Sequence, residues 1–322
     1  MAIEDIVIQE ADEDHDLHVF DFKRCANVTI SGLSILNMTL LKPVITVELV
    51  DSISIRNTTV QNSNWTQNGA LVYIIPPITE IVQEYLDLRN QTESTDLLLS
   101  LLHNSTLNEM LPRHAWGSLQ DHYPKVDKLL NFVRNVTPVT MILEDLVISG
   151  SKGSGYLVLC HLFTTPPTIT ASRLFFLNNT SMSRSTMFSI TDHGPDVMLF
   201  RGRKLFLSSS TIQGNSFTDE FGSGSRLFSS AAGCESQISD CIIEDNYNFQ
   251  MDSVCFLKHT AKDNRESRSL NGFRLRVIGN YNPARVGMFF STDFTLESSI
   301  ISDNSGTFAE ASSARLNSSI FR

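Results

Sequence analysis

NVTISGLSILN at residues 27–37 and SISIRNTTVQN at residues 52–62 share one pattern of apolar residues, repeated after 25 positions. In both stretches apolar and polar residues alternate and β-branched residues are frequent, which is typical of β-strands. Each stretch ends in an asparagine, Asn37 or Asn62, whose short side chain tolerates the left-handed backbone angles of a corner. Paired short strands joined by a tight corner predict the coil of a parallel β-helix, in which neighbouring coils pair as parallel strands.

The second half of the chain repeats a shorter phrase, an apolar residue followed three positions later by asparagine. Its copies lie 24 to 36 residues apart, a spacing typical of solenoids, in which each unit buries its apolar face against its neighbours. Asparagines stacked on successive coils can hydrogen-bond to one another as a ladder. The ladder candidates are Asn179, Asn215, Asn246, Asn280 and Asn304.

The phrase is followed by a further apolar strand, for example at Met187 to Ile190 and at Val286 to Phe290. In this order of elements the chain resembles right-handed parallel β-helix proteins. These are the pectate-lyase-like superfamily and, more closely, the F-x-x-N surface repeats of the polymorphic outer-membrane-protein type. The resemblance implies an all-β solenoid, a right-handed parallel β-helix.

One segment departs from the strand pattern. Between Pro76 and Pro138 the apolar residues follow a helical period, as in Ile78, Ile81, Val82, Tyr85 and Leu88. We therefore predict β-helix coils at 1–75, an α-helical insertion at 76–138 and further coils at 139–322. The insertion either carries specific contacts or covers one side or end of the solenoid. The coils are expected to continue beyond this fragment, because Leu316 to Phe321 starts another strand without a polar cap.

Charge and composition exclude several classes of function. The net charge of −10 argues against a nucleic-acid partner, which requires clustered Lys and Arg. We expect the short basic run Arg201, Arg203 and Lys204 to form an exposed face. The acidic run from Asp12 to Asp16 lacks the spacing of a calcium loop, so no metal site is predicted. The longest apolar stretch, Ala70 to Ile75, is too short for a membrane span.

Glycosylation signals indicate the compartment. The chain has ten Asn-x-Ser/Thr sequons among 22 asparagines, and nine of the ten lie before residue 182. This concentration predicts exposure to a glycosylating secretory pathway, with N-linked glycans and an extracellular or cell-surface location. Corner positions rich in Asn and Thr are the alternative explanation. The predicted glycosylation sites are Asn27, Asn37, Asn57, Asn64, Asn90, Asn104, Asn135, Asn178, Asn179 and Asn317.

Five cysteines are too few for a disulfide scaffold, and their spacing does not suggest zinc. Cys160 and Cys255 occupy similar strand positions after their turns, and both are predicted to be buried thiols. Whether a disulfide forms within the trio Cys234, Cys241 and Cys255 is left open.

The resemblance to pectin-degrading enzymes raises the question of catalysis, which would need paired carboxylates. Asp192-His193-Gly194 is a partial match, but the accompanying Asp-Asp and Arg-x-Lys elements of such enzymes are missing. The pairs Asp219-Glu220 and Glu244-Asp245 are expected to be solvated, since neighbouring side chains of a strand diverge. We predict no catalytic, cofactor-binding or metal-binding residues.

The favoured function is a non-enzymatic extracellular N-glycosylated structural protein, a subunit of a surface, matrix or filament assembly. Its expected partners are further copies, joined end to end, or other extracellular proteins. One alternative is a polysaccharide lyase or glycoside hydrolase that acts on acidic glycans. The other is a monomeric adhesin or carbohydrate-binding module.

Overall fold

A computed structural model describes the chain outside the following gaps: 10–18, 67–68, 76–138, 154–155, 161–166, 183–187, 191–202, 219–225, 231–233, 248–249, 253–268, 283–288 and 307–308. All regular secondary structure of the described residues is β-strand. The prediction of an all-β chain is thus confirmed for these residues. The α-helical insertion predicted at 76–138 lies outside them.

The strands are short and follow one another closely. In chain order they are β1 Ala2–Glu4, β2 Val7–Gln9, β3 Phe20–Lys23, β4 Asn27–Ser31, β5 Ser34–Leu36, β6 Thr39–Leu40, β7 Ile45–Glu48, β8 Ser52–Gln61, β9 Asn64–Trp65, β10 Ala70–Ile75, β11 Thr140–Ser149, β12 Lys152–Gly153, β13 Tyr156–Cys160, β14 Thr168–Leu177, β15 Thr180–Met182, β16 Phe188–Ile190, β17 Arg203–Ser208, β18 Thr211–Gln213, β19 Ser216–Thr218, β20 Arg226–Ser230, β21 Cys234–Ser239, β22 Ile242–Glu244, β23 Gln250–Asp252, β24 Ser269–Phe273, β25 Arg276–Ile278, β26 Tyr281–Asn282, β27 Phe289–Glu297, β28 Ile300–Ser302, β29 Ser305–Gly306, β30 Ala309–Asn317 and β31 Ile320–Phe321.

Each strand pairs in parallel with its counterpart in the next repeat, which produces four stacks of strands. Stack A contains β1, β4, the first halves of β8, β11 and β14, then β17, β21, β24 and the second halves of β27 and β30. Stack B contains β2, β5, the second halves of β8, β11 and β14, then β18, β22, β25, β28 and β31. Stack C contains the short strands β6, β9, β12, β15 and β19, and separately β26 and β29. Stack D contains β3, β7, β10, β13, β16, β20, β23 and the first halves of β27 and β30.

One pass of the chain through stacks A, B, C and D is called a layer here. Successive layers are aligned residue by residue, and β11 pairs with β14 from Thr140 opposite Thr168 to Ser149 opposite Leu177. Such register keeps each inward position above an inward position of the next layer. This all-β arrangement of long parallel sheets is compatible with a β-helix or solenoid.

The core lies between the stacks and is continuous from layer to layer. Along β14 the side chains alternate, so that Ile169, Ala171, Leu174 and Phe176 are buried while the residues between them are more exposed. Removing one such aliphatic side chain from water contributes about 1.5–3 kcal/mol. Because every layer contributes inward residues at the same positions, the core holds neighbouring layers together.

Two corners with left-handed backbone angles recur through most of the described layers, and a third, between stacks D and A, occurs at Arg24 and Leu49. Corner 1 joins stack A to stack B, as at Asp145 with φ 55° and Arg173 with φ 53°. Corner 2 joins stack B to stack C and consists of Asn37, Asn62, Gly150, Asn178, Gly214, Asp245, Gly279 and Asp303. Gly, Asn and Asp tolerate positive φ better than other residues, which explains why these three types recur at corner 2. At Gly214 space matters as well, because a Cβ atom would lie 2.3 Å from the Oδ1 of Asn178 in the layer before.

Candidate functional site

A line of asparagines follows corner 2 and crosses five layers; four of them are buried and the last, Asn304, is half-buried. Asn215 donates from its backbone nitrogen to the Oδ1 of Asn246 at 3.0 Å. Its Nδ2 donates to the same Oδ1 at 2.9 Å and to the carbonyl oxygen of Phe176 at 2.9 Å. Asn215 and Asn246 are each only 1% exposed. The Asn215 side chain therefore satisfies a buried carbonyl of the layer before, while the backbone N–H of Asn215 is satisfied by the side chain of the next layer.

The same set of bonds repeats along the line. Asn179 donates to Asn215, Asn246 to Asn280, and Asn280 to Asn304, each from both the backbone nitrogen and Nδ2 to a single Oδ1. The five asparagines that carry the repeated sequence phrase are thus brought together in one continuous chain of hydrogen bonds. We call this line, Asn179 to Asn304, the asparagine ladder.

Serines extend the line into the first half of the chain. The backbone nitrogen of Ser151 donates to Asn179 Oδ1 at 3.0 Å, that of Ser63 donates to Ser151 Oγ at 3.2 Å, and that of Met38 donates to Ser63 Oγ at 3.4 Å. Asn37 and Asn62 lie one residue earlier, at corner 2 itself. In the first half, therefore, the corner residue is Asn37, Asn62 or Gly150, while the inward residue is Met or Ser. Each of these inward residues lies three positions after an apolar residue: Met38 after Ile35, Ser63 after Val60 and Ser151 after Ile148. This spacing is the sequence signal that was missed.

The sequon asparagines that the structure describes are exposed or half-buried, with the exception of Asn179. Asn27, Asn37, Asn57, Asn178 and Asn317 are exposed, and Asn64 is half-buried. In the Asn37 sequon the middle residue Met38 is 7% exposed and faces the core, whereas Thr39 is exposed. Asn179 has the opposite orientation and is 4% exposed. Asn90, Asn104 and Asn135 lie outside the described residues.

Ion pairs join adjacent layers at corner 1. Arg173 donates from Nε to Asp145 Oδ1 at 2.6 Å and from a terminal nitrogen to Asp145 Oδ2 at 2.9 Å, and it also contacts Glu144. Three layers on, Arg274 makes the same forked contact with Asp240. These hydrogen bonds lower the pKa of Asp145 and that of Asp240 below the usual value for aspartate. All four side chains are substantially exposed, so the pairs position the corner more than they stabilise the fold.

Cys241 is a buried free thiol that lies just after corner 1. Its Sγ is 3.1 Å from the carbonyl oxygen of Ser239, and desolvation raises the pKa of the thiol to about 12. Of the trio considered for a disulfide, Cys241 therefore remains unpaired. The side chain of Cys234 and the whole of Cys255 lie outside the described part of the structure, as does the side chain of Cys160.

Two exposed tyrosines lie next to each other on the outside of stack C. Tyr247 and Tyr281 are 43% and 46% exposed, and their ring centroids are 5.4 Å apart. Ser216 precedes them in the same line and Ser305 follows. The pair forms a small aromatic surface with hydroxyl groups on both sides.

The described residues contain no group of three or more His, Cys, Asp or Glu side chains that could hold a metal ion. Lys204 pairs with Glu235 at 3.0 Å, and Glu244 pairs with Arg276 at 2.6 Å. Asp245, the neighbour of Glu244, lies at corner 2. The runs 12–16, 192–194 and 219–220 lie outside the described residues. The described part of the chain has no helix long and apolar enough to cross a membrane.

Comparison with known proteins gives no match to a family model, to a curated protein or to a solved structure.

Proposed function

We propose that this chain is a right-handed parallel β-helix and that it serves as a non-enzymatic, N-glycosylated structural protein outside the cell. In this proposal it is a subunit of a surface, matrix or filament assembly. The stacked parallel strands supply the scaffold. From β1 to β30, stack A has nine steps between neighbouring strands, or about 43 Å at ~4.8 Å per step.

The orientation of the sequons is the observation that carries the proposal. Asn27, Asn37 and Asn57 occupy outward-facing positions. Each of these sequon asparagines is exposed, and the residue that follows it is buried. An N-linked glycan is bulky and must project into solvent.

A pair of neighbouring corner asparagines provides a matched test. Asn37 and Asn62 occupy corner 2 in adjacent layers with φ 57° and 52°, but only Asn37 begins a sequon. The chain is expressed in a eukaryotic secretory host, and the intact mass is measured before and after enzymatic removal of N-glycans. Asn37→Gln should remove the mass of one glycan and Asn62→Gln should remove none. A parent protein whose mass does not change on glycan removal would refute the proposed compartment.

Assembly is the second part of the proposal. In the last described layer, Leu316 and Phe321 occupy core-facing positions yet are 54% and 47% exposed. Their partners in the layer before, Leu296 and Ile301, are 0% and 5% exposed. Exposed apolar side chains favour association with another apolar surface. We propose a second copy of the chain as the partner.

Sedimentation velocity at rising protein concentration tests this step. The parent should form species larger than a monomer, and Leu316→Asp should shift them towards monomer. Ile242→Asp is the matched control, because Ile242 is 37% exposed on the outer side of stack B and should leave association unchanged. A parent that stays monomeric at every concentration contradicts assembly through this layer.

The tyrosine pair favours a second candidate function, a carbohydrate-binding module. Aromatic rings with nearby hydroxyl groups suit ligands that have both apolar faces and polar rims. A glycan-binding screen with the parent and with the double variant Tyr247→Ala/Tyr281→Ala tests it. Binding that the double variant loses would favour an adhesin over a purely structural subunit.

A further inference from the structure

Two sequons overlap between corner 2 and the asparagine ladder. Asn178-Asn179-Thr180 and Asn179-Thr180-Ser181 both match Asn-x-Ser/Thr. In an unfolded chain the two asparagines are equally accessible to a glycosylating enzyme. The fold separates them, because consecutive residues leave the corner in opposite directions.

Asn178 is the outward member of the pair. It lies at corner 2 with φ 55°, its side chain is exposed, and its side-chain nitrogen Nδ2 has no hydrogen-bond partner among the described residues. Asn37 and Asn57 have the same placement, since each occupies a left-handed corner and precedes a buried residue. A glycan at any of these three corners would extend into solvent.

Asn179 is the inward member, and both hydrogens of its Nδ2 are used. This nitrogen donates to the carbonyl oxygen of Ile148 at 2.9 Å and to Asn215 Oδ1 at 3.0 Å. Glycosylation would replace one of the two hydrogens, so at least one buried acceptor would lose its donor. The sugar would also have to fit at a side chain that is only 4% exposed in the folded chain.

We propose that Asn178 carries the N-linked glycan of the folded protein and that a glycan on Asn179 prevents this part of the asparagine ladder from forming. The inference rests on the proposed glycosylation of the chain. The transfer forms a bond between Asn178 Nδ2 and the anomeric carbon of an oligosaccharide. It breaks the bond from that carbon to a lipid diphosphate donor, and Nδ2 loses one proton. Chains modified at Asn179 instead fold incompletely and are retained by the cell.

The chain itself offers conservative replacements for both asparagines. Asp occurs at corner 2 in Asp245 and Asp303, so Asn178→Asp removes the first sequon with little change to the corner. Ser occupies the ladder position at Ser63 and Ser151, so Asn179→Ser removes the second sequon and preserves the first. Together the two variants separate loss of a sequon from loss of structure.

Glycopeptide mapping of secreted and cell-retained protein tests the inference. Enzymatic deglycosylation in ¹⁸O-water converts each glycosylated asparagine to a labelled aspartate, whose position is read by fragment-ion mass spectrometry. In secreted parent protein the label should lie at Asn178, with occupancy of Asn179 at least about tenfold lower, because losing a buried hydrogen bond disfavours the folded state by that order. Asn179→Ser should be secreted with unchanged glycan mass. Secreted Asn178→Asp should lack one glycan, and any label at Asn179 should appear only in the retained pool.

Different failures have different meanings. Secreted Asn178→Asp that carries a glycan on Asn179 and melts at the parent temperature would overturn the inference. So would occupied Asn37 and Asn57 beside an empty Asn178, although the proposed function would then stand. If all three corner asparagines are empty, both the inference and the proposed function fail.

Discussion

Replacing Asn246 with alanine tests what the asparagine ladder contributes to the fold. Asn246 accepts hydrogen bonds at its Oδ1 from the backbone nitrogen and from the Nδ2 of Asn215, at 3.0 and 2.9 Å. It also donates from Nδ2 to Ile212 and to Asn280. Alanine can replace none of these contacts, and the site is too buried for bulk water to do so.

The expected cost follows from the two donors that lose their acceptor. Leaving one buried donor unsatisfied costs about 1–3 kcal/mol, so the two N–H groups of Asn215 together predict a loss of about 4 kcal/mol for Asn246→Ala. Asn246→Ser should cost about half as much, because a serine hydroxyl at this position can still accept the backbone N–H of the layer before. Ser151 does so for Ser63 at 3.2 Å.

Urea unfolding followed by circular dichroism measures these differences. Asn271→Ala is the matched control, because Asn271 is half-buried on the outer side of β24 and should change the free energy of unfolding by less than about 0.5 kcal/mol. An Asn246→Ala variant no less stable than Asn271→Ala would refute the reasoning. Equal losses for the alanine and serine variants of Asn246 would refute the role given to the backbone acceptor.

Three further predictions concern other parts of the fold. Gly214→Ala should destabilise the chain by about 1–3 kcal/mol in the same urea assay, because the alanine would have a positive φ and its Cβ atom would clash with Asn178. Adding Asn178→Gly should recover the stability lost through the clash but not the stability lost through the strained backbone. Asp145→Asn should be less stable than the parent at neutral pH, with the difference vanishing at low pH. Because the pKa of Asp145 is lowered in the folded chain, the ionised carboxylate stabilises the fold above the usual pKa of aspartate. This stabilisation is lost as the pH falls through the pKa of Asp145 in the folded chain. Measuring the free energy of unfolding from pH 2 to 7 checks this. With its pKa near 12, the Cys241 thiol should resist iodoacetamide at pH 8 in the native state and react in urea; native labelling detected by peptide mapping would contradict its burial.

The sequence was sufficient to predict the strands and their parallel stacking, because inward positions repeat in every layer. Phe176 and Ile212, for instance, begin the repeated phrase and occupy paired positions of stack B. The phrase predicts the position of each ladder asparagine for the same reason, since the next inward position lies three positions after the last inward residue of the strand. In all five copies the residue before the ladder asparagine is Asn, Gly or Asp, the residue types that tolerate a left-handed corner.

The sequence did not distinguish the corner asparagine from the ladder asparagine. Asn62 and Asn179 look alike as strand-ending residues, yet Asn62 lies at corner 2 and Asn179 is buried one position later. Only the pairing of layers shows that Ser63 is the counterpart of Asn179. Side-chain contacts between layers could not be predicted from the sequence either. Asp145 and Arg173 are 28 residues apart, and the register between β11 and β14 brings them together.

Electron–electron distances along stack A test the stacked architecture most directly. Thr29, Gln237 and Thr295 occupy one outward line, with Gln237 five and Thr295 seven pairing steps from Thr29. Spin labels are placed at cysteines introduced in pairs into a chain whose native cysteines are replaced. At ~4.8 Å per step, the Thr29/Gln237 pair should give about 24 Å and the Thr29/Thr295 pair about 34 Å. Distances that do not grow in proportion to the number of layers would contradict a single continuous stack.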